Sequence, residues 1–417
     1  MKFSKSCQII LVTSFGLLAA IYLTACGTRT IDFVYVASSA ATTSGNGQIQ
    51  PFAVDSLSGA LRNAAPAVSS GGPNPIAEVT SPDYKHLYVA NQGNSTIVHF
   101  AINSDSSLTV KDTLTLTTEG NTPVAVAVNA AGTFLYVLAA YQPGCNSSNN
   151  CSGALSVYSL SGGTIGSPLV NGSLNYWPLA LGSYPTDNIV PTGLAVIANG
   201  TSVYVSAYDQ STSSITNGNS GLSSANPGYV YAFAVGSNGL LAAGIPFAAG
   251  IKPSAVAADP SSRFVYVTDF KSNELIGYQV AGPSSLNFMH SGPFKTGDEP
   301  SALVIDPRGF YIYVTNSLDN TLSAFSIGSS SNGIPSTLGS GGSNVTDPAP
   351  VALTIEPSLG RFVYTANLIG NSITGFRLNP DSGILTTNQA SPYPCDSAPT
   401  AIVSVPHGNY ALQVIRN

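Results

Sequence analysis

Apolar and polar residues alternate with a period of two along most of the chain, and the alternation is organised in phrases. Each phrase is an aromatic-rich run ending Tyr-Val, a polar turn, and a second run of the form Ile/Leu-x-x-Phe/Tyr-x-Val/Ile/Leu. Copies lie at 33–54, 86–102, 134–160, 202–235, 264–280, 311–327 and 362–378. Their key tyrosines, Tyr35, Tyr88, Tyr136, Tyr204, Tyr266, Tyr313 and Tyr364, are separated by 47 to 68 residues. Self-similarity at such a period marks a repeat architecture.

Two more pieces complete each unit. A small-residue strand introduced by proline precedes the Tyr-Val run, at 75–80, 123–128, 191–197, 253–258, 300–305, 350–355 and 399–405. A short segment follows the second run, as at 59–68, 239–247 and 383–387, and reads as an outer edge strand. Period-2 alternation, β-branched and aromatic enrichment, and Gly/Pro/Asn/Asp punctuation favour strands over helices. Four strands in each of seven units predict an all-β, seven-bladed β-propeller with antiparallel blades. The chain enters at the second strand of a blade and supplies that blade's first strand only at 400–405, so N- and C-terminal strands share one blade and protect its edges. Residues 407–417 continue past the closing strand with a weak echo of the repeat.

Composition narrows the environment. With 43% hydrophobic and only 8% charged residues, a 417-residue chain has ample core, and its polarity rests on Ser, Thr, Asn and Gly. No basic run interleaved with aromatic residues is present, which argues against nucleic acid as a partner. No motif calls for a cofactor, and no loop has the carboxylate density of a calcium or other metal site.

Residues 1–25 read as an export signal. Lys2 and Lys5 precede the apolar run 9–23, and Leu23-Thr24-Ala25-Cys26 resembles the lipobox of bacterial lipoproteins. Cys26 is the expected lipidation site, because its thiol would carry the diacylglycerol as a thioether. The small residues and cysteine after the run favour this over an uncleaved membrane anchor. Loss of Lys2 and Lys5 leaves 12 basic against 20 acidic residues, a formal charge of −8, so the membrane partner is expected to be held through acyl chains. Residues 26–32 form a short tether, and 33–417 the propeller. The tether enters at the end where first and second strands join, called the bottom. That end is expected to face the membrane of the cell envelope, with the top pointing outward.

Two insertions fall on the top face. One, at 141–153, contains Cys145 and Cys151, expected to close as a disulfide in an oxidising compartment; the other is the Ser/Asn/Gly-rich stretch 209–228. Long loops on a rigid scaffold are where specificity resides. Cys395 is left as a free or buried thiol. Asn91, Asp269, Asn316 and Asn367 follow their strands at one offset and read as turn-stabilising residues. The Asp259-Pro260, Asp306-Pro307 and Glu356-Pro357 pairs read as bottom turns, with Lys85, Arg263, Arg308 and Arg361 as solvated turn positions.

The Pro-led inner strand, the turns 259–263 and 306–310, the Tyr-Val strand, and the Ser-Gly-x-Leu segments at 58–61 and 382–385 together resemble the lactonase family of seven-bladed propellers. That family includes propeller-type 6-phosphogluconolactonases, and Tyr313-Val314-Thr315-Asn316 resembles the YVTN-repeat signature. The resemblance spans 33–405 and implies His, Arg and Glu residues reaching into a central funnel. Inner strands such as 123–126, 191–194, 253–256 and 300–303 carry neither His nor Arg, and the four histidines neither repeat nor pair with an acid in sequence. The leading expectation is therefore a lipid-anchored binding or scaffold module for a glycan, peptide or envelope protein, with Tyr141, Trp177, Tyr208 and Lys271 as ligand contacts. Lactone hydrolysis using Asp209, Asp269, Asp298 or Glu299 is the alternative.

Overall fold

The computed structural model describes residues 29–408, apart from 41–44, 147, 149–150, 182–187, 211–227, 329–331 and 339–342. Seven antiparallel sheets succeed one another along the chain, five of five strands and two of four. The inner strands are Pro75–Thr80, Asn121–Val128, Ile189–Val196, Pro253–Ala258, Pro300–Ile305, Pro350–Ile355 and Pro399–Pro406. Five blades divide the outer position into two short pieces paired to one third strand; blade one does so with Leu61–Asn63 and Val68–Ser69. Ring closure follows the expected order, since Thr30–Ser38 pairs on one side with Gln48–Asp55 and on the other with Pro399–Pro406.

The repeated tyrosine joins the blades. In five of the seven repeats its phenol is buried against the next blade and donates to a carbonyl in that blade's turn between third and outer strands. Four of these bonds are Tyr88 to Gly163 (2.6 Å), Tyr266 to Gly333 (2.5 Å), Tyr313 to Gly383 (2.8 Å) and Tyr364 to Gly59 (2.7 Å). Tyr35 makes the same bond to Ser106 (3.0 Å), which adopts the left-handed backbone (φ 70°) that glycine adopts elsewhere. The ring two residues earlier packs on the glycine itself. A Cβ on Gly59, Gly239, Gly333 or Gly383 would meet Phe362, Phe134, Phe264 or Tyr311 at 2.3 to 2.5 Å. The Tyr-Val strand and the Ser-Gly-x-Leu turn are thus two halves of one contact between neighbours.

Inner strands are linked separately. The hydroxyl following the inner proline bonds the proline carbonyl of the next blade: Ser254 to Pro300 (2.5 Å), Ser301 to Pro350 (2.7 Å) and Thr400 to Pro75 (2.6 Å).

Bottom turns are fixed by buried acids. Asp259 Oδ1 accepts the amides of Arg263 and Phe264, Asp306 Oδ1 those of Phe310 and Tyr311, and Glu356 those of Leu359 and Arg361. Lys85, Arg263 and Arg361 are exposed. Arg308 departs from its expected solvated position: it is buried, with Nε 2.8 Å from Asp306 Oδ2 and its guanidinium over Tyr311. A carboxylate already fully buried beneath it draws the side chain inward.

At the seam between blades seven and one, Asp32 occupies the place before the aromatic where other blades carry Lys85, Arg263 or Arg361. It accepts a bond from Ser358 Oγ (2.8 Å), and burial followed by the charge of Glu356 pushes its carboxyl up to about 9. Cys26 and the signal segment lie outside the described residues. So do 409–417, although His407 still bonds Ile31 (2.8 Å) and packs its ring on Phe33.

The tyrosine contact predicts a specific pattern of losses. Tyr313→Phe strands a buried carbonyl and is expected to cost ~1–3 kcal/mol in urea unfolding. Tyr158→Phe removes a buried hydroxyl that has no partner among the described residues and is expected to be neutral or stabilising. Equal losses in the two would remove the interblade bond from the account.

Candidate functional site

Small residues and hydroxyls dominate the inner strands, and the funnel mouth is shaped by backbone held in the left-handed region. Asn74, Thr122, Glu299 and Ala349, each directly before an inner-strand proline, have φ of 51° to 58°. The same position in four blades therefore carries the strain, which turns the chain over the top rim before it descends.

Three of the four acids considered for catalysis are committed to structure. Asp269 is fully buried; Oδ2 accepts the Ile251 amide (2.7 Å), and Oδ1 accepts those of Lys252 (2.9 Å) and Lys271 (3.1 Å). Gly250 is required beside it, because a Cβ there would lie 2.0 Å from Asp269 Oδ2. Asp209 is buried at the end of its strand opposite Ile189 and is also engaged. Asp298 is exposed; Oδ1 accepts from Asn273 (2.6 Å), while its amide donates to Asp319 (2.7 Å). Glu299 differs. Its backbone is fixed by Asn273 and Ser317, but its half-buried carboxyl has no side-chain partner among the described residues.

The aromatic residues divide as well. Trp177 was expected on a top-face platform and is not there: it is 3% exposed, packed in the core shared by blades three and four, with Nε1 donating to Leu241 O (2.8 Å). Its outer segment pairs with Ala154–Ser161 and turns the indole inward to fill the interblade gap. Tyr141 and Tyr208 are half-buried and close enough that Tyr141, after burial, helps raise the Tyr208 phenol. Lys252 completes the cluster, with Nζ 5.4 Å from the Tyr208 ring centre and 5.2 Å from that of Phe270. Lys271 is exposed at the next turn. In the insertion that follows Tyr141, Cys145 and Cys151 are disulfide-bonded with Cα atoms 5.9 Å apart; Cys395, packed on the core between blades seven and one, is a thiol pushed up to about 12 by burial. Residues 211–227 of the second insertion lie outside the described residues.

Asn91, Asn316 and Asn367 are buried and bridge turn to strand. Asn367 Nδ2, for instance, bonds Ser372 (3.1 Å) and Thr374 (2.9 Å). Among the described residues, no three His, Cys, Asp or Glu side chains are grouped to hold a metal ion.

Two ionisable groups escaped the sequence pattern. Glu78 sits on an inner strand where other blades place Val126, Leu194, Val256, Leu303, Leu353 or Ile402. Its carboxyl is buried against blade one, and neither oxygen has a partner of good geometry among the described residues. Burial holds its pKa well above the usual range, with the nearby backbone of Ala37 and Val403 opposing only in part. The second group is a pair of histidines, His86 and His99, joined at 2.9 Å, with His99 also 2.8 Å from Asp112. Adjacent strands brought these together, so spacing along the chain carried no sign of the pairing.

Seven four-stranded blades closed by a shared terminal blade, with loops gathered around a funnel, define a seven-bladed β-propeller. The chain belongs to the family described as Lactonase, 7-bladed beta-propeller, whose model matches residues 32–167 and 248–413. Solved structures of similar fold include the periplasmic gluconolactonase PpgL of Pseudomonas aeruginosa, at 18% identity and TM-score 0.70, covering 91% of this chain and all of that one. A 6-phosphogluconolactonase candidate from Bacteroides uniformis is 18% identical with TM-score 0.68, covering 90% and 100%. One from Bacteroides fragilis is 17% identical with TM-score 0.67, covering 91% and 99%. Curated protein sequences give no match.

The buried acids predict a pH dependence. Asp32 and Glu78 keep protons in the folded chain that the unfolded chain releases near pH 4, so stability contributed at low pH declines as pH rises from there, for Asp32 until about 9. Glu78→Leu is expected to raise Tm, more at pH 8 than at pH 5. A Tm that falls, or a gain equal at both pH values, would show that Glu78 is not buried as a neutral acid.

Proposed function

We propose that the protein is an exported propeller, anchored to the cell envelope through lipid on Cys26, that binds a glycan on its outward top face. The observation that carries this reading is the cluster of Tyr141, Tyr208, Lys252 and Phe270. Aromatic faces stack on sugar rings, and a cation held over two of them is positioned for a polar or carboxylate substituent. The disulfide-closed loop borders the cluster and limits the ordering entropy that binding must overcome. A polar surface poor in charge, and a structural neighbour that is itself periplasmic, support the location. The first strand enters beside the bottom turns, opposite this cluster, which suits a short lipid tether below and a ligand above.

A second reading rests on Glu299. An unpartnered carboxylate at the funnel mouth could take a proton from water attacking a lactone carbonyl, in keeping with the family.

One experiment separates the two. Soluble protein beginning at Gly27 is titrated calorimetrically with neutral and uronic-acid oligosaccharides, and its acid release from gluconolactone is measured in parallel. Saturable binding weakened roughly tenfold, about 1.4 kcal/mol, by Tyr208→Ala or Lys252→Ala is expected, with no acid release above the uncatalysed rate. Turnover abolished by Glu299→Gln would establish the hydrolase instead. For the anchor, Cys26→Ala is expected to move the protein from the membrane to the soluble fraction of the envelope; unchanged membrane association would discard lipidation at this residue.

A further inference from the structure

Blade two breaks the repeat in three places that touch. Where other blades set Phe33, Phe134, Phe264, Tyr311 or Phe362 at the start of the second strand, blade two has His86. The residue opposite the repeat tyrosine on the third strand is Pro51, Val157, Ala232, Gly277, Ala324 or Gly375 elsewhere, and His99 here. Asp112 lies opposite His99 on the outer strand. Tyr88 stacks on the His99 ring at 5.0 Å, and the His86 ring lies on Gly163 as its aromatic counterparts do on theirs. The three substitutions keep the packing and add a line of polar atoms across the sheet.

For two neutral imidazoles the order of donors along that line follows from the carboxylate at its end. A carboxylate only accepts, so His99 donates Nδ1–H to Asp112 (2.8 Å) and carries its lone pair on Nε2. That lone pair accepts Nδ1–H of His86 (2.9 Å), leaving the lone pair of His86 on Nε2. Nε2 has no partner among the described residues. His86 lines a cavity of about 370 Å3 on the bottom face, with Ser81, Asp83, Tyr88, Gly132 and Gly163.

We infer that this cavity is a second binding site, for a small polyol or sugar whose hydroxyls donate to His86 Nε2 and the Asp83 carboxylate. The side-chain hydroxyls around it are already used: Tyr88 bonds Gly163 O (2.6 Å), and the Ser81 hydroxyl bonds Asp83 (2.5 Å). Of the side chains lining the cavity, His86 Nε2 and the Asp83 carboxylate remain as acceptors, and a ligand hydroxyl supplies the protons to them. Burial, followed by His99, holds the His86 pKa down against the opposing charge of Asp83, and Lys85 and Lys111 add to the lowering. The two lysines also disfavour an ammonium ligand. Gly132 and Gly162 leave part of the cavity wall without side chains, allowing a sugar ring to approach the backbone. Hydrogen bonds in series polarise one another, so Asp112 strengthens an acceptor it does not touch.

The test is long-range 1H–15N spectroscopy of the 15N-labelled soluble protein, titrated with sorbitol and methyl glucoside and, in a separate arm, tetramethylammonium. The expected result is His86 with its proton on Nδ1, and His86 and His99 resonances that shift together on polyol addition. Asp112→Asn, at a half-exposed position, should weaken the polyol roughly tenfold. His86→Phe, the residue most other blades carry, should fold, lose polyol binding at this face and leave top-face binding unchanged. Nε2-protonated His86, resonances unmoved by either polyol at millimolar concentration, or a response to tetramethylammonium instead would overturn the inference.

Discussion

One contact repeated around the ring holds this molecule in register: a tyrosine phenol inserted into the next blade, bonded to the carbonyl of a left-handed turn residue, beneath an aromatic ring seated on that same turn. The phenol cannot be shortened without leaving a buried carbonyl unpaired, and a glycine at the turn cannot gain a side chain without striking the ring. Both partners are therefore specified by residue type as well as by hydrophobicity. Five of the seven repeat tyrosines make this bond to the next blade, whereas the Tyr204 hydroxyl is buried with no partner among the described residues. Ser106 shows the limit of the rule, since a small polar residue can take the turn when its φ is positive.

The seam where the ring closes uses the same contact and adds to it. Tyr364 reaches Gly59 across 305 residues of sequence, and Asn388 bonds the same carbonyl at 3.0 Å. Asp32, Glu356 and Ser358 add a buried polar knot below. A protonated Asp32 is what allows two carboxyls to meet there, as like charges in a dry interface would not both ionise.

Repeat, strand type, blade number and closure could all be read from the sequence, because each blade restates them and the tyrosine and proline mark the frame. The signal failed where a residue's role depends on a neighbour from another strand. Trp177 looks the same in sequence whether its loop folds outward or, as here, packs into the gap between blades. Glu78 looks like one polar residue in an alternating strand, although its counterparts in the other blades are Val, Leu or Ile. His86, His99 and Asp112 sit 13 residues apart in each step, a spacing that means nothing until hairpins bring them side by side. At the top face, Tyr141 and Tyr208 were visible as residues on long segments, whereas Lys252 gained its place through the fold of a different blade.

The strand that completes blade one comes last. Thr400 bonds the carbonyl of Ala37 from 363 residues away, so on a ribosome adding about 5–20 residues per second the first strand waits roughly 20–70 s for its inner partner. For that interval the nascent chain has six possible blades and one open edge. Such a ring stays open until that strand has been made, and its closure is timed by it.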